Sequence, residues 1–248
     1  MTHRLLVVTA HPDDESGGFG GALLLAHRAG AETNLLCFTD GQAAHFRGVA
    51  SDDEELGRMR RAELDSACDV LGLTRCDVLH YPDGALPEQN FLELVGVVVE
   101  RIRRWRPQVV LTFGADGSVN LHRDHTMVSL VTTAAFHWAA RGEMFAETGA
   151  AWAAQKLYYA STPFVSVRNH PELTAVAATV PWSLELHLGA LADEKMAAFG
   201  KHTSQQAVLE RVGRENVRKG MEAERYLLAA KRGMGPAAED DMWAGIVE

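Results

Sequence analysis

A single Rossmann-like α/β domain, its mostly parallel sheet flanked by helices, is the fold this sequence predicts, and three observations predict it. Short apolar runs rich in β-branched residues alternate with stretches of helical periodicity along most of the chain. Two of those runs stop at clusters of His and Asp, as strands do where they open a ligand crevice at their carboxyl ends. The 248 residues, 47% of them hydrophobic, suffice for one sizeable core without division in two.

The elements follow in order. Arg4 to Thr9 is an apolar strand ending in a polar cluster, and Gly17-Gly18-Phe19-Gly20-Gly21 opens a helix over Ala22 to Arg28. The small residues there suit a tight approach of the helix to the preceding loop, and they lack the spacing of a dinucleotide-binding glycine loop, so no nucleotide cofactor is implied. Further strands are expected at Asn34 to Phe38, Asp77 to Tyr81, Val109 to Phe113 and Leu157 to Ala160. Helices are expected at Glu54 to Leu71, Phe91 to Arg104 and Thr126 to Ala140. From Ala140 to Glu194 the pattern weakens. Pro163, Pro171 and Pro181 interrupt β-like stretches suited to an antiparallel edge or a substrate cap, and this less regular C-terminal portion is expected to form the outer wall of the site. Ala190 to Phe199 and Arg214 to Lys231 read as helices. Gly233 to Asp241 reads as a loose tail, which puts the domain at residues 1–232 and the tail at 233–248.

Composition narrows the function. A net charge of -9 and a pI near 5.7 disfavour nucleic acid and anionic membrane as partners, leaving a small molecule held locally. Cys37, Cys68 and Cys76 form no CxxC pair and fit reduced thiols in or near the core. Leu5 to Val8 is too short for a signal core or a membrane span, and a cytoplasmic location is expected.

The chemistry lies in the two polar clusters. His11-Pro12-Asp13-Asp14-Glu15 follows the first strand, and one imidazole with three carboxylates in five residues would repel one another in a core unless a divalent cation made their charge useful. The plainer alternative is an acidic loop capping the next helix. The second cluster shifts the balance: beyond Val109 to Phe113 come Asp116, Asn120, His122, Asp124 and His125, with His122 and His125 on one face of a helix that starts there. Two imidazoles and a carboxylate make a catalytic zinc set with a position left for water. His3, His27, His45, His80, His137, His170 and His187 have no ligand spacing and read as surface, loop or core residues.

At these residues the sequence resembles the LmbE-like (PIG-L) family of zinc-dependent de-N-acetylases. Its first signature, Ala-His-Pro-Asp-Asp-Glu, stands at Ala10 to Glu15, and its second, His-x-Asp-His, at His122 to His125. Weaker features are Thr39-Asp40-Gly41, Arg60 with Glu63, Tyr81-Pro82-Asp83-Gly84, Arg106-Pro107, and Lys195 followed by His202-Thr203-Ser204-Gln205. The resemblance implies that His11, Asp14 and His125 bind zinc, with ferrous iron accepted by the same donors. It further implies Asp13 as general base, His122 as a charged donor over the acetyl carbonyl, and Asp124 as the residue orienting His122. Arg60, Asp83 and Asn120 would meet substrate, Glu15 would support or cap, and His202 and Gln205 would be structural. Either Asp13 or His122 would protonate the leaving amine.

The implied activity is removal of an acetyl group from an amino-sugar conjugate of the N-acetylglucosamine type, by a homo-oligomer. An amidase on a thiol conjugate or natural-product glycoside is the alternative, and a non-catalytic sugar- or nucleotide-binding module a third. Leu121 and Arg123 replace the Gly and Pro common around the second signature, and Asn120 stands where the mycothiol-pathway enzyme carries Tyr, which weakens assignment to that pathway.

Overall fold

Leu5 to Thr9 are buried without exception, as befits a strand inside the sheet and covered on both faces. The computed structural model describes residues 2–160, 182–236 and 238–247. Strand β1 (Arg4–Thr9) pairs in parallel with β2 (Glu32–Thr39) on one side and β4 (Val109–Phe113) on the other, and β3 (Arg75–Tyr81) continues beyond β2. β5 (Lys156–Ala160) lies parallel to β4. β7 (Ala223–Lys231) then pairs antiparallel with β5, and β6 (Leu184–His187) antiparallel with β7, giving the order β3-β2-β1-β4-β5-β7-β6. The expected mostly parallel sheet is what forms, and its antiparallel edge is made by β6, in the stretch where an edge or a cap was expected, with β7, where a helix was expected.

Helices α1 (Asp14–Gly18), α2 (Gly20–Arg28), α3 (Asp53–Leu71), α4 (Phe91–Trp105) and α5 (Arg123–Trp138) connect the parallel strands. The caps explain their bounds. Asp52 accepts the Glu55 N–H at the start of α3, Asn90 accepts those of Leu92 and Glu93 at the start of α4, and Gly72, at φ 68°, closes α3. Toward the C-terminus come α6 (Leu191–Phe199), α7 (Gln206–Val212) and α8 (Arg214–Gly220). Among the described residues no helix is long and apolar enough to cross a membrane.

Three expectations are corrected. Arg214 to Lys231 is not one helix: after Gly220 the chain turns and Ala223–Lys231 becomes a strand, because pairing on both sides overrides the helical preference of Ala, Leu, Glu and Lys. The stretch expected as a loose tail is anchored at Glu239. Glu239 is buried, receiving Lys156 Nζ at 2.7 Å, Lys231 Nζ at 2.5 Å and the Tyr158 hydroxyl, and Met242 packs into the core. The glycines at the start of α2 admit something other than the loop before them: a Cβ on Gly21 would come within 2.5 Å of Leu188 and 2.8 Å of Glu224. That closeness lets the Glu224 carboxylate accept the N–H groups of Gly21 and Ala22, with Lys195 Nζ 2.6 Å away. Pro163, Pro171 and Pro181, and with them most of the expected cap, lie outside the described residues.

Candidate metal centre

In this sheet the chain order reverses direction at β1, which has β2 on one side and β4 on the other, and in open α/β sheets ligands bind beyond the carboxyl ends of the strands that flank such a reversal. Both polar clusters fall there. Thr39 fixes the first loop by giving both its N–H and its hydroxyl to the Ala10 carbonyl, each at 2.9 Å. The second loop turns at Gly117, φ 95°, where a Cβ would stand 2.8 Å from the His122 carbonyl oxygen. The turn delivers His122 as the N-cap of α5 and His125 into its first turn, earlier than the expected start at Thr126.

Three groups converge. His11 Nδ1 lies 3.3 Å from His125 Nε2, and the Asp14 carboxylate is 3.4 Å from the first and 3.2 Å from the second. The outer hydrogen bonds decide what these atoms carry. His125 Nδ1 is 3.0 Å from the Gly117 carbonyl, which can only accept, so the proton of a neutral ring is on Nδ1 and the lone pair on Nε2. His11 Nε2 faces the carboxylates of Asp83 at 3.0 Å and Asp124 at 3.3 Å, which leaves its lone pair on Nδ1. Two nitrogen lone pairs and a carboxylate thus meet in a buried place, an arrangement that repels itself unless a cation or a proton sits among them. Bonds of about 2.0–2.1 Å at tetrahedral angles put zinc donors about 3.3 Å apart, so the donor set fits such an ion.

The electrostatics agree. Burial opposes the charge on Asp14, yet His125 and His11 outweigh it and hold the carboxyl well below the usual range. Burial likewise presses His11 down, and Asp124, Asp14 and Asp83 raise it well above the imidazole range instead, which is the field a cation would find. Phe113 stacks on the His125 ring at 3.9 Å between centroids, and His11 meets His122 edge-on at 4.7 Å.

Two further constellations of possible ligands occur among the described residues: His11 with His122 and His125, and His11 with Asp83 and Asp124. The second is better understood as support. The Asp83 carboxylate already accepts the Ala43 N–H, Asp124 accepts those of Gly84 and Leu86, and both then steady the far side of His11. Asp124 was expected to orient His122, and its carboxylate does not do so. It is turned to His11, and Asp124 meets the His122 ring through its backbone, whose N–H donates to Nδ1 at 3.2 Å. His122, expected as a charged donor, turns one ring nitrogen to the backbone. Burial, then His11 and His125, hold it below the ordinary imidazole value, and Nδ1 accepts a hydrogen bond, so the neutral ring carries its proton on Nε2.

Asp13 stands beside the triangle. Burial pushes its carboxyl up to about 6, against the pull of Arg60 and with the push of Asp14. Arg60 is buried, with guanidinium bonds to the Gly41 carbonyl at 2.9 Å, to the Pro12 carbonyl, and to Asp13 at 3.0 Å. Its cationic head therefore faces the base candidate, where the resemblance implied a sugar contact. Asn120 is exposed and spends its side-chain oxygen on the His122 N–H.

Sequence reasoning missed what lies behind Asp13. Glu15 and His202 are fully buried partners, 2.7 Å apart, and Glu63 receives the Thr203 hydroxyl and the N–H and hydroxyl of Ser204. The signal available was the His-Thr-Ser-Gln run, with Glu63 one helical turn after Arg60.

A mostly parallel α/β sheet with a buried His–Asp–His triangle at its switch point defines a protein whose donor set could hold a metal ion. The chain belongs to the PIG-L family: the family model described as GlcNAc-PI de-N-acetylase matches residues 6–136. It is 35% identical over 181 residues to the 1D-myo-inositol 2-acetamido-2-deoxy-alpha-D-glucopyranoside deacetylase of Rhodococcus jostii, covering 64% of this chain and 61% of that one. To the mycothiol S-conjugate amidase of Streptomyces coelicolor it is 31% identical over 177 residues, 63% of this chain and 60% of that one. The chain thus spans about three fifths of the length of these curated relatives. A conserved protein of Thermus thermophilus has the same fold, with a TM-score of 0.71 at 25% identity, covering 95% of this chain and 98% of that one.

Proposed function

We propose that this protein is a metal-dependent hydrolase that removes the N-acetyl group from an amino-sugar conjugate of the N-acetylglucosamine type, with zinc held by His11, Asp14 and His125. The single observation that carries the reading is the convergence of two imidazole lone pairs and one carboxylate, their tautomers set by Gly117, Asp83 and Asp124. The activity of the Rhodococcus relative supplies the substrate class. Ferrous iron accepts the same donors and belongs in the same trials.

A bound divalent ion supplies Lewis acidity, lowering the pKa of a water and polarising a carbonyl. The remaining work belongs to side chains. Asp13 takes the proton of the attacking water as the carbon–oxygen bond forms. His122, its proton on Nε2, donates to the oxygen that gains charge on the acetyl carbon. Asp13 then returns its proton to the nitrogen as the carbon–nitrogen bond breaks, yielding acetate and a free amine. That task falls to Asp13 in this reading because His122 Nδ1 accepts the Asp124 N–H, which leaves the ring one proton for the oxyanion.

The Streptomyces relative favours a second reading, an amidase on a thiol conjugate using the same centre. Release of primary amine from N-acetylglucosaminyl inositol and from S-conjugate amides, alongside metal analysis before and after chelation, separates the two. No bound metal and no released amine from either set would overturn both, and would leave the binding module standing.

A further inference from the structure

Asp13 has φ 116° and ψ -26°, a left-handed conformation that a non-glycine residue adopts only when its surroundings hold it there. The consequence is useful. Adjacent carboxylates are sent to different duties, Asp14 to within 3.4 Å of two imidazoles and Asp13 to within 3.0 Å of Arg60.

What holds the strained peptide is Glu15. Its Oε2 accepts the Asp13 N–H at 2.9 Å, and its Oε1 accepts the Ser16 hydroxyl at 2.5 Å and faces His202 Nε2 at 2.7 Å. Both side chains of the Glu15–His202 pair are fully buried. His202 is brought from the far end of the chain by a short loop whose next two residues are tied to Glu63 on α3, the helix that also carries Arg60. Arg60 closes the other side by bonding the Pro12 carbonyl. A buried acid could satisfy His202 at many places in the molecule; this one is aimed at the one N–H whose position sets the angle of the base.

We infer that Glu15, backed by His202, is a positioning residue that keeps the Asp13 backbone in its left-handed state and so keeps the carboxylate poised for proton transfer without ligating the metal. The inference rests on the reading of Asp13 as base.

The test uses the full chain loaded with zinc. Glu15→Leu is expected to lower kcat about 100-fold with KM and zinc stoichiometry unchanged, the scale of loss that follows a small misplacement of a reacting group. Glu15→Gln, which keeps an acceptor for the Asp13 N–H, is expected to recover most of kcat. In an Asp13→Asn background, Glu15→Leu should cost nothing further. The crystal structure of Glu15→Leu should show Asp13 relaxed to negative φ, a readout independent of activity: should the wild type release no amine from any amide, the functional reading fails and this measurement still decides the positioning role. If Glu15→Leu does not fold, Glu15→Asp, with the charge kept and the reach shortened, takes its place with the same expectations. Retention of full kcat with φ near 116°, loss of zinc, or an equal loss in the Asp13→Asn background would each overturn the inference.

Discussion

The guanidinium of Arg60 lies 3.0 Å from the carboxylate of Asp13, and its charge is the strongest pull against the burial that drives this group up to about 6. A base must be ionised to work, so activity should rise with pH through the Asp13 pKa, and removing Arg60 should raise that pKa further. Arg60→Gln is therefore expected to move the acidic limb of kcat/KM to higher pH, losing more at about pH 6 than at about pH 8. An unchanged limb, measured by amine release across roughly pH 5 to 9, would count against the pairing.

Metal retention should separate ligand from base. His125→Ala is expected to lose both bound metal and turnover. Asp13→Asn should keep the metal and lose turnover by about 10²–10⁴, the range for a general base. Metal content by atomic emission, set beside kcat, checks both; a metal-free Asp13→Asn protein would move Asp13 into the ligand set.

His122 has two jobs that one substitution can divide. Asn is a good N-cap, so His122→Asn should preserve α5 and its metal ligand while removing the ring donor. Turnover is expected to fall about 10²–10³-fold, as for other lost oxyanion donors, with little change in KM. A KM effect alone would mean that His122 binds substrate without acting on the transition state.

Glu239 predicts an acid sensitivity far from the site. Burial opposes its charge, but Lys156, Lys231 and the Tyr158 hydroxyl hold its pKa below the ordinary carboxyl value. A depressed carboxyl pKa contributes stability that is fully present above the unfolded value of about 4.3 and lost as pH falls through the folded one. Urea unfolding should therefore show stability declining below about pH 5. Glu239→Leu, which leaves Lys156 buried without its partner, should cost about 3–5 kcal/mol at neutral pH and flatten that decline. Loss of less than about 1 kcal/mol would show that residues after Gly233 contribute little.

Local patterns made the parallel half of the fold legible. The strand from Val109 to Phe113 has its expected limits, and the helices containing Glu54 to Leu71 and Phe91 to Arg104 differ from expectation by one residue at one end. β7 was illegible because Ala-Glu-Arg-Tyr-Leu-Leu-Ala-Ala-Lys prefers helix, and only pairing with β5 and β6 makes it a strand. At the site, the signatures brought His11, Asp14, His122 and His125 into view as residues. The tautomers, the turning of Asp124 to His11 and the pairing of Glu15 with His202 were beyond sequence reading, because they depend on contacts between segments far apart in the chain.

The placement of β7 between β5 and β6 also governs the order in which a growing chain can finish its sheet. His11 after β1, Asp14 in α1 and His125 in α5, the proposed metal ligands, are all synthesised by Trp138, and β5 soon after. The strand that covers the outer edge of β5 arrives only at Ala223. Until then a nascent chain presents Leu157, Tyr158 and Tyr159 on an uncapped edge, the kind of surface that recruits a wrong neighbour. The hazard on the ribosome thus falls in the interval when the half with the proposed metal ligands has been made and its sheet has not been closed.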